Sequence, residues 1–326
     1  MSETRVLITG ANGFIGKNAR EYFAGKGYSV YCLDNQFAST RIARREFAID
    51  ILDAQAFLDV VRHTRPEIVL HFAARTDLNA TSLNDYETNY VGVRNVLSAC
   101  RNAGTVRRVL LLSSMLVRKR NSAYDSAFGP FDASTAYGLS KAAGECVAWG
   151  YRGAQMGVVI ARPTSIWGPY QGAPYDAFFR RVMRGAYFHV GRRSATKAFG
   201  YVGNLCAQAE ALVASEERLD ADEVYYLTDY EPYNVEAWAN LIARKTGVRV
   251  RRAPYPALRA AAVIGDTLRA AGYEFPLTSF RLRNMTTDNV VPTTSMQRVL
   301  PDLPYDIETA VERTLQWYGG RRSTSW

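Results

Sequence analysis

A chain of 326 residues, 48% apolar and 22% charged, can bury a large core and reads as an α/β domain with a smaller second lobe, which excludes a disordered or fibrous protein. No apolar run reaches about 18 residues and no signal-type segment precedes Arg5, so neither a membrane span nor export is expected and the protein reads as cytoplasmic. The net charge of +9 fits a solvated basic surface or an anionic small ligand better than nucleic acid, because Arg118-Lys119-Arg120 is one local run and no aromatic-interleaved basic stripe occurs.

The first predicted strand, 6–9, enters the run TGANGFIG at 9–16, and a helical segment follows over 17–25. Gly10, Gly13 and Gly16 stand three apart, which suits a tight turn, a close backbone approach to a pyrophosphate and close helix–strand packing. The anion then sits on a helix N-terminus. A second strand over 29–33 leads to Asp34, where a carboxylate that binds an adenosine ribose falls. An acid there accepts from a free ribose diol and repels a 2′-phosphate, which favours NAD over NADP; Arg41, Arg44 and Arg45 close by argue the other way.

Further strands over 68–72, 108–112 and 158–161 alternate with helices over 53–62, 86–103 and 136–151, with Asp85 in an N-cap region and Gly104 as a helix stop. The alternation predicts parallel βαβ units in a doubly wound Rossmann sheet. Beyond Trp167-Gly168-Pro169 the chain is punctuated by aromatics and prolines, at 170–174, 187–189, 254–256 and 275–276, which predicts a smaller, loop-rich C-terminal substrate lobe. A strand over 224–228 returns to the main sheet, so residues 1–165 and 205–232 form the dinucleotide-binding domain, and 166–204 and 233–326 the lobe. The alanine-rich amphipathic stretch 257–271 reads as lobe packing rather than a membrane-surface element. Cys32, Cys100, Cys146 and Cys206, with His63, His71 and His189, show neither ligand nor disulfide spacing, so no metal is expected.

The segment YGLSK at 137–141 places a phenol and an ammonium four residues apart on one helical face. A phenol with a pKa near 10 is a poor base at neutral pH, and a neighbouring cation lowers it. Tyr137 can then exchange a proton with a hydroxyl.

TGANGFIG, Asp34-Asn35, Asp50-Ile51, His71-Phe72-Ala73-Ala74, Asn89 with Gly92, Ser113-Ser114, YGLSK, Arg162-Pro163 and Gly168-Pro169 together resemble the extended short-chain dehydrogenase/reductase family, in its branch of NAD-dependent sugar-nucleotide epimerases and dehydratases. The resemblance implies that Gly10, Gly13, Phe14, Ile15 and Gly16 hold the pyrophosphate of NAD, that Asp34 and Asn35 bind the adenosine ribose, and that Asp50 and Ile51 flank the adenine. Phe72, Ala73 and Ala74, with Asn89 and Ser113, line the cofactor by the same carry-over, Lys141 also bonds the nicotinamide ribose, and Tyr137 is the acid/base. Lys197, in a basic-x-aromatic stretch, meets the substrate diphosphate, with Arg281 and Arg283 as second choices and Phe178, Phe179, Tyr187 and Phe188 as a base pocket or as core.

Three positions depart from the family. Met115 stands where a Ser or Thr hydrogen-bonds the reacting sugar, and a thioether cannot donate. Leu116 and Val117 replace the acidic pair of sugar 4,6-dehydratases, and Ser165 replaces an Asn on the substrate. Ser114, a water or a group from 118–120 is left to substitute, or else the ketone intermediate needs no second donor. The reading is an NAD-dependent epimerase of a nucleoside-diphosphate sugar, acting at the 4-position through a transient keto sugar. Dehydration, keto-sugar reduction and a non-catalytic dinucleotide-binding protein are the alternatives. The helices at 86–103 and 136–151 resemble those through which the family pairs, which implies a homodimer.

Overall fold

In the computed structural model, which describes residues 3–77, 80–119, 124–153, 156–192, 194–215, 219, 223–273, 275 and 277–322, the apolar runs form one seven-stranded sheet. Strands β1 (Arg5–Thr9), β2 (Ser29–Leu33), β3 (Glu46–Phe47), β4 (Ile68–His71), β5 (Arg108–Leu112), β6 (Gly157–Pro163) and β7 (Tyr225–Leu227) lie in the order β7-β6-β5-β4-β1-β2-β3. Every neighbouring pair is parallel. Parallel strands covered on both faces need continuous apolar runs. Val6, Leu7, Ile8, Ile68, Val69, Leu70, Val109 and Leu110 accordingly have no exposed surface. The register sets Thr9 beside Leu33 and His71, and His71 beside Leu111, so these strands end on one common edge.

The flanking helices are α1 (Phe14–Gly25), α2 (Ala54–Thr64), α3 (Val91–Ala103), α4 (Ala136–Trp149) and α5 (Val202–Ala214). Asp53 caps α2 by accepting the Ala56 N–H (3.0 Å), Thr135 caps α4 by accepting that of Gly138 (3.0 Å), and α3 stops at Gly104, φ +68°. The single helix expected over 86–103 is two, a 3-10 segment Leu83–Asn89 and then α3, separated at Tyr90, where φ is −135°. Asp85 is not the cap. Ser82 is, and Asp85 completes its capping box from the third position.

Helix α4 is fixed to the sheet by a buried ion pair. Arg162 of β6 donates from Nε and Nη2 to the two oxygens of Glu145 (3.0 and 2.8 Å), and neither side chain is exposed. Arg162 Nη1 also donates to the Tyr226 hydroxyl of β7 (3.3 Å), and the guanidinium lies over the rings of Tyr226 and Phe131. Gly144 allows the helix to close on the chain at Asn89, because a Cβ at 144 would stand 2.3 Å from the Asn89 carbonyl oxygen.

The chain divides into two units, Met1–Tyr170 with Gly200–Thr228 and Val291–Asp306, and Gln171–Phe199 with Asp229–Val290 and Ile307–Trp326. The segment Val291–Asp306, expected in the lobe, packs with the sheet unit. Met296 is fully buried, Ser295 Oγ donates to Glu223 (3.0 Å), and Asn204 exchanges two hydrogen bonds with the Tyr305 backbone (2.8 and 3.0 Å).

The second unit is more helical than its punctuation suggests, with α6 (Val235–Thr246), α7 (Tyr255–Ala270), α8 (Ser279–Thr286) and α9 (Ile307–Arg322). Prolines mark helix starts here. Pro254 is the N-cap of α7 and Pro256 lies in its first turn, where a missing N–H costs nothing. The aromatics are core: Phe178 stacks on Trp238 of α6 (centroids 4.5 Å apart), Phe179 meets the same ring edge-on (5.6 Å), and Tyr187 meets Phe178 (5.2 Å). Phe188 packs against the cluster of Val190, Leu258, Ala262 and Leu282. Of the two uses considered for these four rings, the structure shows the packing one.

Removing one member of a buried pair strands the other charge. Glu145→Gln is therefore expected to lower unfolding stability by about 3–5 kcal/mol in urea denaturation, and the double variant Glu145→Leu/Arg162→Met to recover most of the loss.

Candidate active site

The common strand edge carries three loops. After β1, Gly10 adopts φ +67°, and a Cβ there would lie 2.6 Å from the Ala73 nitrogen and 2.8 Å from the Phe72 carbonyl carbon. A Cβ on Gly16 would lie 2.1 Å from the Gly10 oxygen. The glycine turn is thus wedged against the Phe72–Ala73 backbone, leaving the N-terminus of α1 at Phe14 and Ile15 with Gly13 as a cap that offers no side chain. This is a backbone cradle for a phosphate. Phe72 lies just past β4 rather than in it, its N–H donating to the Thr9 oxygen (3.2 Å).

Thr9 joins these loops. The Ala73 N–H donates to Thr9 Oγ1 (3.2 Å), and the same hydroxyl is hydrogen-bonded to His71 Nδ1 (2.8 Å). Burial, helped by the Lys141 charge, holds the His71 imidazole down at about 3. It stays neutral.

Asp34 is nearly buried and already oriented, its two oxygens accepting the N–H groups of Asn12 (2.9 Å) and Gln36 (2.8 Å). A carboxylate has about four acceptor sites, so sites remain for a ribose diol. Two of the three nearby arginines are engaged elsewhere: Arg45 donates to Ser29 Oγ (2.6 Å) and lies on the Tyr31 ring, and Arg41 sits 4.0 Å from Glu46. Asn35 Nδ2 donates to Asp50 Oδ2 (3.1 Å), and Asp50 Oδ1 accepts the Leu52 N–H (2.9 Å), which brings those two predicted residues together. Ile51 is buried, with its carbonyl held by Asn95 Nδ2 (3.1 Å).

Asn89 is almost fully buried and its amide is engaged on both sides. Its Oδ1 accepts the Arg75 N–H (2.9 Å), and its Nδ2 donates to the Arg75 oxygen and to Ser140 Oγ (both 2.9 Å), while Ser140 donates onward to the Tyr137 carbonyl (2.7 Å). It braces α4 instead. Sequence patterning names Asn89 but not the Ser140 link, whose only trace is its place on the buried side of the helix.

Tyr137 and Lys141 both face inward from α4, at 9% and 5% exposure. The Tyr137 ring meets Tyr86 edge-on at 6.1 Å, and Lys141 Nζ donates to the Leu112 oxygen at the end of β5 (2.8 Å). Burial pushes the Lys141 ammonium down from 10.5 to about 8, against a smaller opposite pull from Glu145. Glu145, four residues on, gives both oxygens to Arg162.

The loop after β5 holds the residues beside them. The Ser113 hydroxyl is buried without a hydrogen-bond partner among the described residues. Ser114 Oγ accepts the Leu116 N–H (3.1 Å) and caps the 3-10 turn Met115–Val117, which leaves its proton to donate. Met115 is 5% exposed. Arg118 does not supply the missing donor, because Nη1 donates to the Pro130 oxygen (2.9 Å) and Nε lies 3.2 Å from Asp132. Arg120 lies outside the described residues, as does Pro276. Ser165 is exposed at the start of the short strand Ser165–Trp167. In the second unit, Lys197 lies half-buried in a two-residue strand paired with Tyr233–Asn234, and Arg281 and Arg283 are exposed on α8. Among the described residues no three His, Cys, Asp or Glu side chains group as metal ligands.

The family model described as NAD dependent epimerase/dehydratase family matches residues 6–227. The chain is 27% identical over 282 residues to a 4-hydroxy-2-methyl-3-oxo-4-farnesyl-3,4-dihydroquinoline-1-oxide ketoreductase of Stigmatella aurantiaca, covering 81% of this chain and 80% of that protein. It is 26% identical over 239 residues to a UDP-N-acetyl-alpha-D-glucosaminuronate decarboxylase of Bacillus cytotoxicus, covering 67% and 73% of the two chains. Among solved structures, the UDP-glucose 4-epimerase of Thermus thermophilus in complex with NAD superposes with a TM-score of 0.70 at 20% identity, over 97% of this chain and 99% of that one.

The Lys141 charge opposes folding. With a folded value near 8 against 10.5 unfolded, its penalty of about 3 kcal/mol is fully present below pH 8 and is relieved as pH rises toward 10.5. Lys141→Met is expected to melt no lower than the parent at pH 7, and the parent to gain on the variant between pH 8 and 10.5, read by thermal denaturation across that range.

Proposed function

We propose that this chain, which belongs to the NAD dependent epimerase/dehydratase family, interconverts a hydroxyl and a ketone on a nucleoside-diphosphate sugar and thereby epimerises it at the 4-position. The observation that carries the reading is the placement of Tyr137 and Lys141. A buried ammonium destabilises the fold, and a non-catalytic dinucleotide binder has no use for that cost. NAD fits the strand edge through the glycine cradle, which holds the pyrophosphate, and through Asp34 and Asn35, which accept the adenosine ribose. Bound there, it accepts and returns a hydride.

Tyr137 takes the hydroxyl proton as the ketone forms and gives it back on reduction. Lys141 supports the phenolate electrostatically, and its carbonyl partner Leu112 keeps it aimed from β5. Ser114 takes the place of the hydroxyl that Met115 lacks, since its oxygen accepts from backbone while its proton is available. Ser113 completes the cofactor contacts. Lys197, with Arg281 and Arg283, neutralises the substrate diphosphate. Presenting the opposite face of the keto sugar to the same hydride yields the epimer. Leu116 and Val117 offer no acid/base pair for eliminating water, which disfavours the dehydratase alternative. Pairing through α3 and α4 makes the enzyme a homodimer.

A second reading is reduction of a lipophilic ketone. It is favoured by the apolar run Met115-Leu116-Val117 beside Tyr137 and by the similarity to a ketoreductase of a farnesylated dihydroquinoline oxide. Here Tyr137 only donates a proton to the carbonyl oxygen as NADH supplies the hydride, so each turnover consumes one NADH, whereas epimerisation leaves the cofactor unchanged.

Incubation with UDP-, GDP-, CDP- and dTDP-sugars, followed by mass spectrometry and NMR, is expected to yield a product of unchanged mass and inverted C4. Consumption of NADH with a prenylated or alkyl ketone, and none of the sugars converted, would establish the second reading instead. Tyr137→Phe is expected to lose about 10²–10⁴ in turnover while NAD affinity holds. Asp34→Ala is expected to narrow a preference for NAD over NADP, measured by titrating both; equal affinities in the parent would overturn the ribose assignment.

A further inference from the structure

A tyrosine side chain turns about two torsions of its own, so α4 sets where Tyr137 starts and not where its hydroxyl points. The 3-10 segment Leu83–Asn89 makes two further contacts with it. Through Asn89, whose Nδ2 donates to Ser140 Oγ (2.9 Å), and Ser140, which donates to the Tyr137 oxygen (2.7 Å), it holds the backbone of the tyrosine. Through Tyr86, three residues earlier, it holds the ring: the two aromatics meet edge-on, with centroids 6.1 Å apart and planes at 61°. The segment leaves helical geometry at that residue, with φ −114° and ψ 30°. One short piece of chain thus meets both the backbone and the ring of Tyr137.

Tyr86 is itself held fast. It has no exposed surface, and a buried hydroxyl costs free energy unless it is bonded. Its hydroxyl donates to the Asp77 oxygen (2.6 Å), with the Ala80 oxygen at 3.4 Å, which moors the ring to the loop after β4. Arg75 closes the arrangement from that loop. Its guanidinium lies over the Tyr86 ring at 5.3 Å, Nη1 donates to the Asp85 oxygen (2.7 Å) and Nε to Asp77 Oδ2 (2.7 Å), while its main chain exchanges two hydrogen bonds with the Asn89 amide. An edge-on aromatic pair has a preferred mutual angle as well as a buried area, so an immobile Tyr86 passes its orientation to its neighbour. We propose that Tyr86 is a positioning residue for the reaction, its moored ring fixing the Tyr137 ring in the orientation that points the phenol at the reacting hydroxyl or ketone. This rests on the acid/base reading of Tyr137, which the sugar and the lipophilic-ketone readings share.

Ring motion can be read without a substrate, by NMR of the full-length protein with NAD, its tyrosines isotope-labelled at the ring ε carbons. The Tyr137 signal is the one lost in Tyr137→Phe. The parent is expected to show slow flipping of that ring, and Tyr86→Met, whose flexible thioether fills much of the same space, to show fast flipping. Over the nucleotide-sugar and ketone panel, Tyr86→Met is expected to lose about tenfold to a hundredfold in kcat with KM nearly held, because misalignment slows proton transfer and leaves binding alone. Tyr86→Phe, which keeps the ring, is expected to recover most of both. Tyr86→Leu carries the same expectations as Tyr86→Met and serves where the methionine variant does not fold. A Tyr137 ring as slow in the folded variant as in the parent, with only the melting temperature lowered, would mean packing alone and overturn the proposal; so would parental kcat in that variant. Retained turnover in Tyr137→Phe would overturn the acid/base reading by itself, because the ring measurement involves no substrate.

Discussion

The contact between Glu145 and Arg162 determines where the chemistry sits. Tyr137, Lys141 and Glu145 repeat every four residues, so one stripe of α4 carries the phenol, the ammonium and the anchor. With both oxygens of Glu145 gripped by a strand residue at zero exposure, α4 can neither roll nor slide without leaving a buried charge unpaired. An ion pair buried this deeply contributes little net stability against an apolar equivalent, yet it penalises every other register heavily. Its effect is positional. The Tyr226 hydroxyl extends the grip to β7, so the return of the chain to the sheet after α5 also bears on the site.

Electrostatics along that stripe are deliberately unbalanced. Glu145 lies close enough to pull the Lys141 ammonium upward, but its oxygens belong to Arg162, and burial prevails. The lysine is left charged near neutral pH without a carboxylate to quench it. On the proposed function, such a cation acts on Tyr137, one helical turn away, by favouring the phenolate over the phenol. A lysine fully paired to an acid would be cheaper for the fold and less useful to the phenol. Neutral His71 fits the same scheme, since a second buried cation would compete with Lys141 for the little solvation available.

Much of the sheet was legible because parallel strands covered on both faces must be apolar throughout, and six of the seven strands announce themselves that way. β3, two residues long, gives no such signal. The glycine turn and the Tyr137–Lys141 spacing were legible because both follow from backbone geometry. The hydrogen bonds of Asn89 were not legible for a physical reason: a side-chain amide looks the same in sequence whether or not it meets the Arg75 backbone, and Tyr90 shows no local reason to interrupt a helix. The same holds for Glu145 and Arg162, seventeen positions apart with no periodicity in common. The second unit pointed to loops because proline breaks a helix interior and its aromatics follow no clear helical period, whereas here the prolines open helices and the aromatics stack into a core. Val291–Asp306 followed the fold rather than the chain, because Asn204 and Glu223 offered it hydrogen bonds.

Asp34 has a consequence for how long a cofactor stays. Its carboxylate is held by two backbone amides within the fold itself, and two of the three nearby arginines, Arg45 and Arg41, are turned to Ser29 and Tyr31 and to Glu46. Ordering a side chain on association typically costs about 0.5–1.5 kcal/mol, and here that entropy has already been surrendered during folding. Preorganisation of this kind lengthens residence more than it speeds arrival. On the proposed function, a dinucleotide held so would be reset in place, and an epimerase that gives a hydride back to the molecule it came from would need no exchange with the cell's pool between turnovers.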